Sequence, residues 1–407
     1  MKKNNIDILS TNTGYKNTLS CREKRQLSVY IHIPFCVKKC LYCDFLSMES
    51  SEEMRENYVQ ALLMEIELES ENYKDYKIST IFLGGGTPSL LTPLQLNNVL
   101  CKLKNRLDIS EEAEITMEIN PGTVTRETLE AFFESGVNRL SIGLQSANDQ
   151  ELKKLGRIHN FQDFLSSYHW AKEVGFTNIN VDLISSLPDQ TVEDYEKSLM
   201  ALMELNPRPQ HISAYSLIIE EGTPFFDMYT EMEEEQDRNL YELTEKILKN
   251  YGYHRYEISN YALKNKECLH NITYWKRKEY VGFGIGAASL INETRWCNTR
   301  KIDRYLSVLN NQKLKGSTHG LWKNEEEPLE ILSEKDRMEE FMFLGLRMME
   351  GICKKDFHLN FDVSIEVVYG ETLKTLEAEK LLVNGEKVLL TKRGIDLSNY
   401  VFGKFML

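Results

Sequence analysis

Cys36, Cys40 and Cys43 share one short loop, with three residues between the first pair and two between the second, just after the apolar run 29–33. That spacing can bring three thiolates around one small metal cluster. A four-iron cluster usually takes four cysteine ligands, so a triad with no fourth partner leaves one iron open for a bound molecule. Zinc sites favour paired Cys-x2-Cys units or mixed histidine ligands, and no second pair follows at zinc-like spacing. A disulfide framework is not expected in 407 residues whose eight cysteines are scattered and whose start carries no secretory signal. The other five, Cys21, Cys101, Cys268, Cys297 and Cys353, read mostly as packed or surface residues.

More polar residues of chemical interest follow successive apolar runs. Gly84-Gly85-Gly86-Thr87-Pro88 can turn tightly and bring backbone close to a ligand. Glu118 precedes Asn120-Pro121-Gly122, Gln145 ends Ser141-Ile142-Gly143-Leu144-Gln145, Arg157 follows Leu155-Gly156, and Asp182 lies in Asn180-Val181-Asp182-Leu183. Each alone reads as a capping or surface residue. Together they point to one rim, where carboxylate and amide groups suit ribose hydroxyls and an arginine can grip a carboxylate through two hydrogen bonds.

With these residues the chain resembles the radical S-adenosylmethionine (SAM) superfamily, in which the open iron chelates the amino and carboxylate groups of SAM. The resemblance implies a [4Fe–4S] cluster on Cys36, Cys40 and Cys43. It also implies SAM contacts at Gly85, Gly86, Thr87, Glu118, Gln145, Arg157 and Asp182, with Tyr30 and Tyr42 beside them. Thr87 stands where many members carry an acid, and the Gly-Gly-Gly-Thr-Pro form is characteristic of the coproporphyrinogen dehydrogenase-like branch. Dehydrogenases of that branch carry a fourth cysteine two residues after the third; here the position is Phe45. Phenylalanine there, with His270-Asn271-Ile272-Thr273-Tyr274-Trp275, is similar to the HemW branch of haem chaperones. In that light His270 is a candidate haem contact, because a neutral imidazole can ligate haem iron and aromatic rings can cover a porphyrin face. Read without the resemblance, His270 caps a helix while Tyr274 and Trp275 pack in a core. Cys268 is a second candidate iron contact, and His32 reads as a packed or hydrogen-bonded strand residue. The resemblance runs from about Leu27 to the C-terminus and includes Phe341-x-x-Leu344-Gly345-Leu346-Arg347.

The elements that must position these residues alternate. Apolar runs at 29–33, 80–83, 114–119, 139–143, 178–184 and 211–217 predict strands. Stretches at 52–69, 93–107, 126–134, 163–174 and 192–205 carry apolar residues at helical spacing. Strands alternating with helices imply an α/β fold with a covered parallel sheet, and six units fit the incomplete (β/α)6 barrel of radical SAM proteins. Chemistry in such barrels sits at the C-terminal ends of strands. The expected organisation is a flexible arm over 1–26, the barrel over 27–252, an extension over 253–310, a linker over 311–332 and a winged-helix-like C-terminal domain over 333–407. An acidic helix is expected over 231–250, and Asn384-Gly385 between apolar runs is a hairpin turn signal.

A net charge of −13 opposes a nucleic-acid footprint, and no apolar stretch approaches the roughly 20 residues needed to span a bilayer. The expected function is that of a cytoplasmic haem chaperone that binds haem and a SAM-coordinated cluster. It would pass haem to an acceptor protein, for which a membrane respiratory enzyme is one class. The alternative is oxygen-independent coproporphyrinogen III dehydrogenation, against which Phe45 argues. The electron donor stays open, as does a homodimer.

Overall fold

Each apolar run gives a strand, and the first four strands are longer than their runs because polar neighbours also take extended backbone, some of them facing the inside of a barrel. The computed structural model describes residues 24–307, 309, 322–324 and 329–407. Its core strands are β1 (Arg25–Ile33), β2 (Tyr76–Gly85), β3 (Asp108–Ile119), β4 (Arg139–Gln145), β5 (Ile179–Ser185) and β6 (His211–Ser216). They lie side by side in that order, all parallel. Parallel neighbours need crossovers, which α1 (Glu52–Glu69), α2 (Pro93–Arg106), α3 (Arg126–Ser135), α4 (Asp149–Lys154), α5 (Phe161–Val174) and α6 (Val192–Met203) supply. Local chemistry starts these helices: Thr92, Thr125 and Asn160 each close a capping box. The short α4 was not legible as a separate helix.

One strand face is apolar and covered by helices: Ile31, Leu83, Met117, Ile142, Val181 and Ile212 have no exposed surface and share one core with Leu62, Leu96, Phe132 and Leu199. The alternate residues are polar yet buried, among them Ser28, Thr80, Glu114, Ser141, Asn180, His211 and Ser213. A strand pattern with both faces buried but only one apolar is what a barrel with a working interior requires.

Helices α7 (Pro224–Met228) and α8 (Glu234–Asn250) follow; α8 is the expected acidic helix, buried at Leu240, Thr244, Ile247 and Leu248. The next segment adds to both edges of the sheet. Strands β7 (His254–Arg255) and β8 (Asn260–Ala262) continue it antiparallel beyond β6. After α9 (Leu269–Trp275), β9 (Tyr280–Phe283) runs parallel to β1, and β10 (Ala288–Ile291), β11 (Thr294–Cys297) and β12 (Glu330–Ile331) complete a twelve-stranded sheet. Helix α9 thus lies in the crossing from one edge to the other. Helix α10 (Ile302–Ser307) packs beside α1.

The C-terminal part holds α11 (Glu334–Gly345), α12 (Lys354–Phe361), α13 (Ile365–Ala378), α14 (Lys392–Asp396) and α15 (Ser398–Gly403). With them stands a small sheet of β13 (Ile352–Cys353), β14 (Leu382–Asn384) and β15 (Lys387–Leu390). It has its own core, including Met342, Phe357, Leu376, Val388 and Phe405, and the expected hairpin turns at Asn384-Gly385. The arm expected over 1–26 lies outside the described residues except for 24–26, and Arg25 and Gln26 already belong to β1. Most of the linker expected over 311–332 also lies outside them. Among the described residues no helix is long and apolar enough to cross a membrane.

Candidate functional site

The cysteine loop leaves β1 at Ile33 and is pinned to backbone on both sides. Cys36 N donates to Met48 O at 2.9 Å and Met48 N to Pro34 O at 2.7 Å, while Leu41 N donates to Leu155 O at 3.1 Å. The glycine turn after β2 lies directly against it: Gly86 N donates to Ile33 O at 2.8 Å and Thr87 N to Phe35 O at 2.7 Å. Only glycine permits that approach. A Cβ on Gly86 would fall 2.7 Å from Phe35 O, and one on Gly85, whose φ is +111°, would meet the His32 ring at 2.4 Å. The Gly-Gly-Gly-Thr-Pro run is therefore the seat of the cysteine loop.

All three thiols are free and accessible in part. They wall a cavity of about 130 Å³ together with Tyr42, Gly85, Gly86, Thr87, Glu118, Gln145, Arg157 and Asp182. Polar side chains reach the sulfurs: Thr87 Oγ1 lies 3.6 Å from Cys36 Sγ and Arg157 Nη1 lies 3.5 Å from Cys40 Sγ. Burial pushes the Cys43 thiol up, an effect the Phe45 N–H partly offsets. Among the described residues no group of His, Cys, Asp or Glu converges to hold a single metal ion. Three thiols spread around a cavity, with donors aimed at sulfur, fit a multinuclear cluster, whose ligands stand farther apart than those of one ion.

Arg157 is the hinge of the far wall. It donates to Gly143 O at 2.8 Å and to Asn120 Oδ1, and Asn120 Nδ2 donates to Thr87 Oγ1 at 2.7 Å. Gln145 closes β4 with a positive φ of 72°, and its side chain and that of Asn120 each come within 3.0 Å of where a Cβ on Gly143 would stand. Two carboxyl groups face the same space. Burial, then the charge of Asp182, pushes Glu118 up to about 8, against the Gly85 N–H that it accepts at 3.1 Å. Burial likewise raises Asp182, which accepts from Asn180 Nδ2 at 2.7 Å.

A larger cavity of about 510 Å³ adjoins the first and shares Tyr42, Cys43, Glu118, Gln145 and Asp182 with it. Tyr30 and His270 line this second space, at the mouth of which Phe45 is 64 % exposed. His270 is buried and both ring nitrogens are engaged: Nδ1 lies 2.8 Å from Thr80 Oγ1 and Nε2 2.9 Å from Tyr274 Oη. Its ring stacks on Phe82, and burial with the nearby Arg139 charge lowers its pKa to about 3. Iron ligation by His270 would cost one of the two hydrogen bonds. Glu114 holds the start of α9, accepting from Leu269 N at 3.2 Å and His270 N at 3.1 Å, with Cys268 Sγ at 3.7 Å. Cys268 is buried there, and burial pushes its thiol up to about 12. His32 is hydrogen-bonded in the barrel wall, to Tyr30 Oη at 3.0 Å and Leu46 O at 2.8 Å.

Residues 30–202 match the model of the radical SAM superfamily, and residues 332–397 that of the HemN C-terminal domain. Over 93 % of its length the chain is 36 % identical to the heme chaperone HemW of Lactococcus lactis, covering 97 % of that protein. It is also 36 % identical to the heme chaperone HemW of Bacillus subtilis, covering 99 % of that protein. The chain belongs to the HemW family. Its fold is shared with Escherichia coli coproporphyrinogen III oxidase (HemN), at a TM-score of 0.79 over 94 % of this chain and 90 % of that one, with 22 % sequence identity.

Two polar residues of the HemW-family site, Asn120 and Arg139, were not picked out from the sequence, and Asn271 was legible only within its motif. Asn120 was visible only as part of an Asn-Pro-Gly turn, and its role as a bridge between Thr87 and Arg157 depends on two other strands. Arg139 and Asn271 line the larger cavity. Arg139 was legible only as the first residue of the strand run 139–143; it is 2 % exposed.

Proposed function

We propose that this chain is a haem chaperone that carries a [4Fe–4S] cluster, binds SAM and hands haem to an acceptor protein. Its likeness along nearly the whole chain to proteins named heme chaperone HemW carries the reading. Cys36, Cys40 and Cys43 hold the cluster, and Thr87 and Arg157 donate to its cysteine sulfurs. Gly85, Gly86, Glu118, Gln145 and Asp182 form the SAM pocket, with Tyr42 and Tyr30 on its flank. SAM on a reduced cluster of this kind supplies one-electron chemistry. The chain's own residues orient the bound molecules and keep water from them. Haem lies in the larger cavity against His270, whose burial keeps the imidazole neutral. The protein works in the cytoplasm, and a membrane respiratory enzyme is one class of acceptor.

The fold shared with coproporphyrinogen III oxidase favours a second reading, oxidative decarboxylation of coproporphyrinogen III. Against it stands Phe45, which cannot supply a thiol. Anaerobic reconstitution of the cluster separates the two. One sample receives SAM, a reductant and coproporphyrinogen III, another receives haem. About one haem bound per chain and transferable to an apo-acceptor, without porphyrin product, is the expected result. Protoporphyrinogen above the level of a control lacking SAM would overturn it.

A further inference from the structure

The larger cavity holds a buried cation that makes no direct ion pair among the described residues. Arg139 begins β4, pairs in register with Thr116 and is 2 % exposed. Its Nε has no hydrogen-bond partner, and among the described residues no side chain is hydrogen-bonded to or ion-paired with its guanidinium. Two carboxylates that act on it, Glu114 and Asp182, are hydrogen-bonded elsewhere. Glu114 is taken up by the start of α9, and Asp182 by Asn180 and by Ser141 Oγ at 3.3 Å. Burial lowers the guanidinium's pKa, but the surrounding groups, Glu114 and Asp182 among them, raise it above its ordinary value, so the charge persists.

A buried charge is retained only where something pairs with it. Arg139 lines the cavity of about 510 Å³, whose wall sets aromatic rings, Tyr30, Phe82, Tyr215 and Tyr274 prominent, among polar side chains. A ligand that suits such a wall has a flat apolar body and carries an anion that can reach the floor. A guanidinium fork matches a carboxylate better than it matches a spherical ion. Because β4 starts at Arg139 and ends at Gln145, the guanidinium lies a strand's length below the rim, beneath the residues assigned to SAM.

We infer that Arg139 is the carboxylate anchor of the porphyrin site, receiving one propionate of the tetrapyrrole that enters the barrel edge-first. This rests on the haem-chaperone reading and adds how the ligand is oriented: propionate inward and the opposite edge toward the mouth beside Phe45.

The test uses the full chain with its cluster reconstituted, metal-free protoporphyrin IX and its dimethyl ester, so that iron ligation does not enter. Wild type should bind the diacid about 10- to 100-fold more tightly than the diester, the range for a hydrogen-bonded charge pair. Arg139→Gln should bring the diacid down to the diester's affinity, leave SAM affinity unchanged and keep the cluster absorption. Arg139→Lys should retain part of the preference. Equal affinity of wild type for diacid and diester, with haem still bound, would overturn the anchor and leave the chaperone reading standing. A wild type that binds neither porphyrin nor haem would overturn that reading and the anchor with it. Loss of SAM affinity in Arg139→Gln, with the diacid preference intact, would assign the guanidinium to SAM instead. If Arg139→Gln does not fold, the wild-type comparison and Arg139→Lys decide the matter alone.

Discussion

Nδ1 of His270 lies 2.8 Å from Oγ1 of Thr80, a partner 190 residues earlier in the chain. Thr80 Oγ1 in turn donates to Ser28 Oγ at 2.8 Å, and Ser28 Oγ lies 2.9 Å from Thr273 Oγ1. One hydroxyl–imidazole chain thus stitches α9 to the first two barrel strands. Buried polar networks of this kind are rigid when every member is satisfied and costly when one is removed.

His270→Ala should therefore act first on stability. It strips Thr80 and Tyr274 of a buried partner and leaves a cavity beside Phe82, at a cost of about 2–4 kcal/mol. Denaturant unfolding of the cluster-free protein measures this directly. The cysteine loop is pinned by other contacts, so iron and sulfide content should match wild type. Haem should bind more weakly with its Soret band unmoved. A displaced band would make His270 an axial ligand.

Thr87→Val tests the hydrogen bonds to the cluster. Thr87 Oγ1 donates toward Cys36 Sγ and accepts from Asn120, which holds Arg157 near Cys40. Hydrogen bonds to ligand sulfur stabilise the reduced cluster, and losing such a partner typically weakens metal retention about 10- to 100-fold. The variant should assemble a cluster of lower reduction potential that loses iron faster to a chelator. A redox titration with unchanged midpoint would remove Thr87 from this role.

What was legible in the sequence was local. The cysteine spacing, the glycine run and each polar residue after an apolar run could be read from a few neighbours, and the cavity walls contain them. The first three strands were read short at their N-terminal ends, where polar residues such as Gln26, Ser28, Lys77 and Glu112 break the apolar pattern, and a polar residue in a strand normally faces water. Ser28 instead faces the barrel interior, which only closure of the sheet creates. Helix α9 was legible as a motif, but not its position, because the groups that hold it, Glu114, Thr80 and Ser28, come from distant strands. Asn120 and Arg139 were missed for the same reason: neither side chain has a role until three or more strands stand side by side.

Gly86→Ala should show how tightly the glycine turn seats the cysteine loop. Its new Cβ would meet Phe35 O at 2.7 Å and Phe35 N at 2.8 Å, and backbone cannot step aside as a side chain can. Overpacking at such a contact costs about 1–3 kcal/mol. The loop should shift, so cluster content after reconstitution should fall well below wild type while far-ultraviolet circular dichroism stays the same. Full cluster loading would show that the turn has slack the geometry does not predict.

Glu118 makes the site sensitive to pH. Its carboxyl group titrates at about 4.5 when unfolded and at about 8 in the fold, raised by burial and by Asp182. Between those values the native state holds a proton that the unfolded state has lost, so this group's contribution to stability falls as pH rises through that window and is flat above it. Glu65, raised by burial to about 7, adds the same slope over a narrower range. Glu118→Gln should make the cofactor-free stability profile shallower between about pH 5 and 8, leaving the part that Glu65 contributes. Binding of cationic SAM beside Glu118 should favour the carboxylate, so binding at pH 7 should release a proton and tighten as pH rises to about 8. Calorimetry at pH 7 in buffers of different ionisation enthalpy would count that proton, and Glu118→Gln should abolish it. Proton release that persists in the variant would place the titrating group elsewhere, with Asp182 the next residue to replace.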